Sequence, residues 1–373
     1  MLSSLKYRIK RDLYIEKYRK KIASSYQKLP NKVPLTKAQV SEIQKYWKSL
    51  LGYEIPIDWH QYFYARTGVF SAKYVPTGIY RLEVCGRLNK LAFCYPYSDK
   101  NMLDVLFPNV KQPHIYLKNR NGYFFFEGKA VSKEDAVKCC ANLGDVVVKP
   151  TFTSHGDGVK RICLENGMVD GESTLEALFE SYGENFLIQD LVRQHRDMAA
   201  LNPDSINTVR AVTYRSGMDV AVLYTAIRIG RKGQLIDNES AGGMSAKINP
   251  DGTLSKYAFG APGQDYIEQT DTGVRLEGYR VPSYDKVLSL VKEQHLNLPF
   301  HNIVGWDVCI DEEGEPLLLE WNSAPELSQS AVGPAFGDYT EQIFKDAMSK
   351  PCQRKFDPID LPIAVKWFFK KYL

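Results

Sequence analysis

The sequence predicts an α+β fold, and three observations support this prediction. Segments in which apolar and polar residues alternate, as in strands, lie between segments with the 3.6-residue period of helices. The alternating segments come in pairs joined by short turn sequences, which predicts β-hairpins. Hairpins interspersed with helices favour antiparallel sheets in α+β lobes over a doubly wound parallel sheet.

The N-terminal region, residues 1–95, is predicted to be helical and rich in aromatic residues. Residues 1–28 carry a broad apolar stripe among Lys and Arg, which predicts a first helix. A second helix is expected over 35–51 with Thr36 as its N-cap, because a threonine hydroxyl accepts a hydrogen bond from a first-turn amide. Residues 52–95 mix aromatic and polar side chains without a clear period.

Residues 96–190 are predicted to form a first lobe. A short helix capped by Ser98 is expected to end at Pro108. The stretch HIYLKNRNGYFFF predicts a hairpin that turns at Asn121-Gly122. The remaining elements expected here are a helix ending at Gly144, a buried strand over 145–150, a helix over 174–183 and a strand over 184–192.

Residues 191–335 are predicted to form a second lobe, followed by a C-terminal helical tail over 336–373. The second lobe would contain a hairpin over 207–230, in which we expect Val222, Tyr224, Ala226 and Arg228 to share a face. It would also contain a helix over 283–299 and a third hairpin over 304–322.

Composition narrows the function classes. The net charge is +4, but the first 50 residues hold thirteen Lys and Arg against three acids, which leaves −6 for the remainder. A basic end of this kind argues against a nucleic-acid-binding protein with a basic face throughout. The seven cysteines form no CxxC pair, so we expect reduced thiols, no zinc site and a cytoplasmic protein. No apolar run reaches transmembrane length, and the first residues do not resemble a signal peptide.

Polar residues interrupt both apolar strands of the third hairpin, GWDVCIDEEGEPLLLEWNSAPE. If 304–310 pairs with 316–322, Asp307 lies opposite Glu320, and Asn322 shares their face. Opposed carboxylates repel unless a cation lies between them, and with an amide oxygen they suit Mg²⁺ shared with nucleotide phosphates. The alternative is a solvated acidic face, which the apolar character of the opposite face disfavours.

A lysine and a glycine-rich turn follow the strand over 145–150. Lys149 ends that strand, where an anionic partner would offset the cost of burying its ammonium. Ser154, Gly156 and Gly158 lie in a turn whose backbone amides could approach phosphates. The alternatives are a lysine that leaves the strand for solvent and a turn without a ligand.

Two arginines lie within the strands of the second hairpin. Arg210 and Arg228 need anionic partners, and the guanidinium fork suits a phosphate or a carboxylate. They could bind the γ-phosphate and a substrate carboxylate. The alternative is a structural salt bridge to an Asp or Glu.

These motifs, in this order, resemble the ATP-grasp superfamily over about residues 96–335. The hallmark is the Asp307…Glu320-x-Asn322 hairpin, and the strand that ends in Lys149 with its glycine-rich turn agrees with it. The N-terminal stretches resemble the ATP-grasp branch associated with sugar transfer and cell-surface polysaccharide gene clusters. The resemblance implies two α+β lobes gripping ATP between them, with one or two Mg²⁺ ions.

The resemblance also implies roles for individual residues. Lys149 would contact the α- and β-phosphates, and Lys100 is a further candidate for the nucleotide site. The linker residues that would contact adenine and ribose are Gln189, Asp190 and Leu191. A loop residue, Asn238, would lie near the acceptor. A plain strand is the alternative for any one of the linker side chains.

The resemblance predicts a carboxylate–amine ligase that works through an acyl phosphate. Its substrates would be a sugar acid and an amino acid or other amine used in capsule or O-antigen synthesis. Amino-acid ligases of the superfamily often carry an Arg where this chain has Gly305, so a phosphotransferase with a hydroxyl acceptor remains an alternative. A non-catalytic adaptor for polysaccharide assembly is a second alternative.

Both ends of the chain are basic and partly apolar. Residues 5–22 and 365–373 could contact anionic lipid, which would make the protein peripheral at the inner face of the membrane. The alternative is that these segments pack on the body of the protein and expose only their lysines.

Overall fold

The computed structural model describes residues 2–153, 156–234, 237 and 242–353. Its N-terminal part is helical, as predicted. The helices are α1 (Leu2–Gln27), α2 (Lys37–Leu51), α3 (Asp58–Thr67), α4 (Thr77–Ile79), α5 (Gly86–Leu88), α6 (Leu91–Tyr97) and α7 (Leu103–Leu106), with a π-helical segment at Tyr80–Cys85 and a 3₁₀ turn at Lys100–Met102.

The cap predicted for α2 is confirmed, whereas the cap predicted near residue 98 is wrong. Thr36 accepts a hydrogen bond from the Gln39 amide at 3.2 Å, and the Gln39 side chain accepts one from the Thr36 amide at 2.8 Å. Ser98 instead ends α6, and the Asp99 side chain caps the following 3₁₀ turn. Asp99 lies one residue closer to the turn, so its carboxylate reaches the Asn101 amide at 3.0 Å.

Eight of the described strands form the first sheet. They are β1 (Ile115–Arg120), β2 (Tyr123–Phe126), β3 (Lys129–Val131), β4 (Gly144–Pro150), β5 (Lys160–Glu165), β6 (Met168–Val169), β7 (Ser173–Thr174) and β8 (Phe186–Asp190). The order is β3-β2-β1-β8-β4-β5-β6-β7, and neighbouring strands are antiparallel. Helices α8 (Lys133–Cys140) and α9 (Leu175–Tyr182) pack on it. Gly144 begins β4, so it does not end α8 as predicted.

The second sheet contains six of the described strands. They are β9 (Thr208–Ser216), β10 (Asp219–Ile229), β11 (Met244–Ile248), β12 (Leu254–Phe259), β13 (Ile303–Ile310) and β14 (Pro316–Asn322). Their order is β12-β11-β10-β9-β13-β14, again antiparallel. The helices around this sheet are α10 (Arg196–Leu201), α11 (Tyr284–His295), α12 (Gln329–Val332) and α13 (Thr340–Met348).

Two irregularities in the second sheet change which residues share a face. In the third hairpin Asp307 pairs with Glu320 as predicted, but Val308 pairs with Leu318, because the register shifts by one residue on the side of the turn. In the second hairpin a shift between Val222 and Tyr224 turns Val222 toward the opposite core. The prediction that Val222 shares the face of Tyr224 is therefore wrong.

Three apolar cores organise the described chain. One lies between the first sheet and its helices, and another lies between the second sheet and α11. The third joins the N-terminal helices and α13 to the other face of the second sheet; we call it the N-terminal core. Its members on the sheet are Val212, Tyr214, Tyr224 and Ile303. The N-terminal helices therefore cover the same face of the second sheet that carries Arg210 two residues before Val212.

The N-terminal core also accounts for the apolar stripe of α1. Ile15 is buried in that core, and Tyr18 and Ile22 pack against it. This packing favours the alternative in which residues 5–22 lie on the protein body, whereas 365–373 lie outside the described residues. Within the described chain, no helix combines the length and the apolar character needed to cross a membrane. The predicted domain boundaries at residues 95, 190 and 335 remain predictions.

Candidate nucleotide site

A cavity of about 610 Å³ lies where the two sheets and the N-terminal region meet. Residues of β4, β5 and β8 line one side, and residues of β9, β10, β11, β13 and β14 line the other. Arg81 reaches it from the N-terminal region. A cavity of this size, bounded by separate parts of the chain, is typical of a small-molecule site.

The first-sheet side presents cations. Alternation along β4 buries Val146 and Val148 in the core of the first sheet and turns Val147 and Lys149 toward the cavity. Lys149 is half-buried and forms no ion pair with the described residues. The Lys100 side chain also lines the cavity, and its ammonium donates to the Thr153 carbonyl at 2.7 Å.

Lys149 is electrostatically unusual. Its pKa is lowered to about 8, chiefly by burial and also by the nearby positive charge of Lys100, while the charge of Glu320 across the cavity partly opposes both. An ammonium held beside a second ammonium without a carboxylate gains from an anionic ligand. This end of the cavity is therefore suited to phosphate oxygens.

The glycine-rich turn contributes only in part. Gly156 lines the cavity, whereas Gly158 does not. Gly158 has a φ of +76°, and a Cβ there would lie 2.7 Å from Cγ of Pro150. The glycine at 158 is thus required by its close approach to Pro150 rather than by a ligand, and Ser154 lies outside the described residues.

The linker residues divide according to strand alternation. Gln189, opposite Val147, lines the cavity, and so does Leu191. Asp190 points the other way, where it accepts a hydrogen bond from the Tyr116 hydroxyl. The predicted contact between Asp190 and the ribose is therefore corrected, because side chains at consecutive strand positions face opposite sides.

The second-sheet side presents a paired charge network. Asp307 is 7% exposed and lies opposite Arg210 on β9 and opposite Glu320 on β14. The Arg210 guanidinium donates Nε to Oδ1 at 2.6 Å and Nη2 to Oδ2 at 2.9 Å. Arg228 donates Nη1 to the same Oδ1 at 3.3 Å. Both arginines thus adopt the salt-bridge alternative, with Asp307 as their shared partner.

This network keeps Asp307 ionised. Burial alone would raise the pKa of Asp307, but the charges and hydrogen bonds of Arg210 and Arg228 outweigh burial and hold that pKa below its usual value. The pKa of Arg210 is raised because the attraction of Asp307 outweighs the desolvation of the guanidinium. The carboxylate and the guanidinium therefore carry full charges in the cavity wall.

Asp237 is a further member of the network. Its carboxylate accepts a hydrogen bond from Thr208 and lies 3.5 Å from the guanidinium of Arg228. Burial raises the pKa of Asp237, against the opposing charge of Arg228. Asn238, the next residue and a predicted catalytic residue, lies outside the described residues.

The oxygen donors around Asp307 fit a magnesium ion that is shared with a nucleotide. Asp307, Glu320 and Asn322 all line the cavity, and Glu320 has no hydrogen bond to the described residues. Each Asp307 oxygen already accepts two hydrogen bonds, Oδ1 from Arg210 and Arg228 and Oδ2 from Arg210 and Asn322, so Glu320 is the carboxylate that the described residues leave free for a metal. In the described chain no cluster of three His, Cys, Asp or Glu side chains could hold a metal alone. A hard cation here would need phosphate oxygens to complete its coordination, as Mg²⁺ normally does.

Gly305 faces the segment that follows β14. A Cβ at residue 305 would meet the Pro325 ring well inside van der Waals contact, so no larger side chain fits without moving the chain. The arginine found at the equivalent position of many amino-acid ligases is thus excluded sterically. Arg210 and Arg228 are the cations that this chain places beside Asp307 instead.

Sequence reasoning missed Asp237 and Arg81. Asp237 lay in a loop whose spacing to Arg228 carries no pattern, although a buried acid near buried arginines is a usable signal. Arg81 is the one residue of the Tyr80–Cys85 segment that is not buried. Glu83 in the same segment and Arg87 just after it are also charged, so the local sequence does not single out Arg81 as a cavity residue.

The chain resembles a known protein family in sequence. A model of the family described as sugar-transfer associated ATP-grasp matches residues 83–336. That match covers more than half of the chain. The protein is therefore an ATP-grasp protein, as predicted, and it belongs to the sugar-transfer associated family.

Solved structures that resemble the chain are only distantly related in sequence. The L-amino acid ligase from Bacillus licheniformis is 11% identical, with a TM-score of 0.37, and the match covers 72% of this chain and 51% of that one. The D-alanine–D-alanine ligase from Bacillus anthracis is 13% identical, with a TM-score of 0.39 and coverage of 71% and 70%. The VanG D-Ala:D-Ser ligase from Enterococcus faecalis is 12% identical, with a TM-score of 0.42 and coverage of 68% and 61%.

The chain spans about half the length of the L-amino acid ligase. No curated protein matches it significantly.

Proposed function

We propose that the protein is an ATP-dependent carboxylate–amine ligase. One observation carries the proposal: Lys149 and Lys100, which form no ion pair with the described residues, face the oxygen donors Asp307, Glu320 and Asn322 across a single cavity. Cations without partners suit nucleotide phosphates, and hard oxygens opposite them suit the accompanying Mg²⁺. Membership of the ATP-grasp family supports this interpretation of the cavity.

The proposed reaction has two steps. An oxygen of the substrate carboxylate bonds to the γ-phosphorus, and the bond from that phosphorus to the leaving ADP oxygen breaks. The amine nitrogen then bonds to the acyl carbon of the acyl phosphate, phosphate leaves with the electron pair of the C–O bond, and the nitrogen loses a proton. The product is an amide.

The chain's own residues would hold and balance charge. Lys149, with Lys100 beside it, binds the phosphate oxygens, while Asp307, Glu320 and Asn322 hold the metal. When bound, Mg²⁺ supplies charge neutralisation to the phosphates. Arg210 and Arg228 lie beside Asp307 and balance negative charge that builds up on the transferred phosphoryl group.

We extend the proposal to a sugar acid as the carboxylate and an amino acid or other amine as the acceptor, in capsule or O-antigen synthesis. The support is the description of the family as sugar-transfer associated. Dependence on ATP favours the cytoplasm as the site of the reaction.

A phosphotransferase is the second candidate. The observation in its favour is that Gly305 leaves no room for the arginine of amino-acid ligases, while Arg210 and Arg228 are already paired with Asp307. In that case a hydroxyl oxygen would attack the γ-phosphorus and no acyl phosphate would form. An adaptor without catalysis is disfavoured because unpaired Lys149 would serve no purpose there.

Hydroxylamine separates the candidates. Purified protein with Mg²⁺ and ATP is incubated with a panel of uronic acids and amino acids, with hydroxylamine as the amine, and hydroxamate and ADP are measured. A ligase gives hydroxamate that depends on one acid and is lost in Asp307→Asn. Glu313→Gln is the matched control, since Glu313 lies exposed in the turn of the same hairpin and should leave the yield unchanged.

The other outcomes identify the alternatives. ADP without hydroxamate would overturn the ligase in favour of the phosphotransferase. A protein that binds no nucleotide would instead be an adaptor.

A further inference from the structure

Arg81 occupies a distinctive place in the cavity wall. It lies in the π-helical segment Tyr80–Cys85, whose other members are buried in the N-terminal region. Arg81 alone turns toward the cavity, which it lines together with the segment after β14. Departures from regular helix of this kind often accompany functional sites.

The guanidinium of Arg81 is poorly partnered within the described chain. Its Nε is buried and has no hydrogen-bond acceptor there. Its Nη2 lies 3.7 Å from Glu326, whose side chain is 73% exposed, so this ion pair contributes little. The face of the guanidinium lies 5.9 Å from the ring of Tyr18, which leaves the fork of N–H donors available.

The position of Arg81 separates it from the nucleotide phosphates. Lys149 and Lys100 lie on the first-sheet side, whereas Arg81 faces Glu326, four residues beyond the metal-ligand candidate Asn322. Four residues of chain span at most roughly 14 Å. Arg81 and Asn322 also line the same cavity, so a substrate that fills it is placed between them.

We propose that Arg81 binds an anionic group, a carboxylate or a phosphate, on the substrate that is not ATP. This inference rests on the proposed function, because it assigns a chemical class to the second substrate of the same cavity. The buried Nε without an acceptor is destabilising unless an anion accepts its hydrogen bond, and a planar carboxylate or a phosphate can accept from Nε and Nη2 together. The exposed Glu326 is displaced when the substrate arrives.

The rival explanation is a structural ion pair between Arg81 and Glu326, and the two make opposite predictions. If Arg81 binds substrate, Arg81→Gln weakens anion binding while Glu326→Gln strengthens it by removing a competing carboxylate. If the pair is structural, both variants lower the melting temperature and weaken binding together. The signs of the two effects therefore decide between the explanations.

The experiment is a set of titrations in the presence of Mg²⁺ and a non-hydrolysable ATP analogue. The probes are succinate, glucuronate and glucose 1-phosphate, with dimethyl succinate and glucose as neutral controls. We expect wild type to bind one anionic probe, and Arg81→Gln to weaken that binding at least about tenfold, the loss typical of a charged hydrogen-bonded contact. Whether succinate, glucuronate or the phosphate binds identifies the anionic group.

Two further variants complete the set. Arg81→Lys retains the charge without the fork and should restore part of the affinity. Arg280→Gln is the control, because Arg280 is exposed and remote from the cavity lining. Nucleotide affinity should stay within about twofold of wild type in Arg81→Gln, since no part of the proposal involves Arg81 in ATP binding.

The proposal is overturned if no anionic probe binds wild type, if Arg81→Gln binds as wild type does, or if both variants weaken binding. Where hydroxamate formation is found, Arg81→Gln should raise KM for the acid and leave kcat nearly unchanged. A fall in kcat at constant KM would instead assign Arg81 to the reacting centre. If no acid gives hydroxamate, the ligase fails, but the titrations still decide the role of Arg81.

Discussion

The two sides of the cavity treat positive charge differently. On the first-sheet side, Lys149 and Lys100 lie close together, and Lys149 has no carboxylate partner among the described residues. On the second-sheet side, Arg210 and Arg228 are bound to Asp307. One side thus presents cations without a carboxylate partner among the described residues, and the other presents two cations that share a carboxylate of their own sheet.

This difference separates what a ligand must supply from what the fold supplies. On the first-sheet side, Lys149 and Lys100 repel each other until an anion binds between them. Their charges therefore favour phosphate binding and do not stabilise the folded protein. The second-sheet side holds its geometry without a ligand, because a bidentate guanidinium–carboxylate pair fixes both side chains. Substitutions on the paired side should therefore act mainly on stability, and substitutions on the unpaired side mainly on ligand binding.

The largest expected effect is on stability, from breaking the paired side. Arg210→Met removes one member of a buried pair and leaves Asp307 opposite Glu320, so we expect a loss of roughly 3–5 kcal/mol in the free energy of unfolding. Urea denaturation measures it. The double variant Arg210→Met/Asp307→Leu should recover part of the loss, since it removes the carboxylate that Arg210 no longer neutralises but also takes one partner from Arg228, which keeps Asp237.

An exposed ion pair in the same lobe provides the control. Arg275 and Glu277 lie 2.8 Å apart and are both exposed, so Arg275→Met should change stability by less than about 1 kcal/mol. Equal effects of the Arg210 and Arg275 variants would mean that the network around Asp307 is not a structural unit.

The unpaired side should respond in the opposite way. Lys149→Met removes a charged contact to phosphate, so we expect the dissociation constant for ATP to rise roughly 10–100-fold. The free energy of unfolding should not fall, because the variant also removes a costly buried ammonium. Calorimetric titration and urea denaturation give the two quantities, with a variant of exposed Lys160 at the start of β5, Lys160→Met, as the control. A destabilised protein with unchanged ATP affinity would reverse the assignment.

The close packing at Gly305 yields the third prediction. Gly305→Ala places a methyl group against Pro325, and such overpacking should cost about 1–3 kcal/mol. Thermal unfolding measures the effect. Gly314→Ala, in the turn of the same hairpin, is the comparison, because Gly314 has a positive φ but a Cβ there would meet no atom closer than 3.7 Å. A neutral Gly305→Ala would mean that the segment after β14 moves freely and that a side chain at 305 is tolerated.

The smallest effect concerns pH. The pKa of Lys149 is lowered to about 8 from the ordinary lysine value of 10.5, chiefly by burial. Between these values the unfolded chain binds more protons, so the contribution of Lys149 to stability rises with pH. Phosphate binding needs the protonated form, so ATP affinity should fall above pH 8, by up to about tenfold per pH unit.

Titrations of ATP from pH 7 to 9.5 test this dependence. Lys149→Arg stays charged throughout and should show a flatter profile than wild type. A wild-type profile that coincides with that of Lys149→Arg would exclude Lys149 as the titrating group.

Local patterns predicted the elements and the Asp307–Glu320 pair well. Both strands of the third hairpin are strongly apolar, and a turn rich in acids and glycine fixes where they reverse. The predicted register holds at Asp307 but is wrong nearer the turn, because one extra residue in a strand leaves no trace in an alternating pattern. The same limitation explains the error at Val222.

Contacts between distant segments were not accessible to sequence reasoning. Nothing near Arg81 in the chain indicates that it shares a cavity with Asp307, because the N-terminal region reaches the second sheet only through tertiary packing. The partner of Arg210 was equally hidden, since the pairing of β9 with β13 joins strands from two different hairpins. Strand alternation alone could have excluded Asp190 once Gln189 was assigned to the cavity.

The N-terminal core has a consequence for how this chain can be divided. Val212, Tyr214, Tyr224 and Ile303 of the second sheet are covered by the N-terminal helices and α13. A protein that begins at residue 96 would expose this apolar face to water, and we expect it to aggregate or to bind hydrophobic dyes. The two ATP-grasp lobes are therefore not a portable module in this chain, and exchange of lobes with a relative would have to include the helices that precede them.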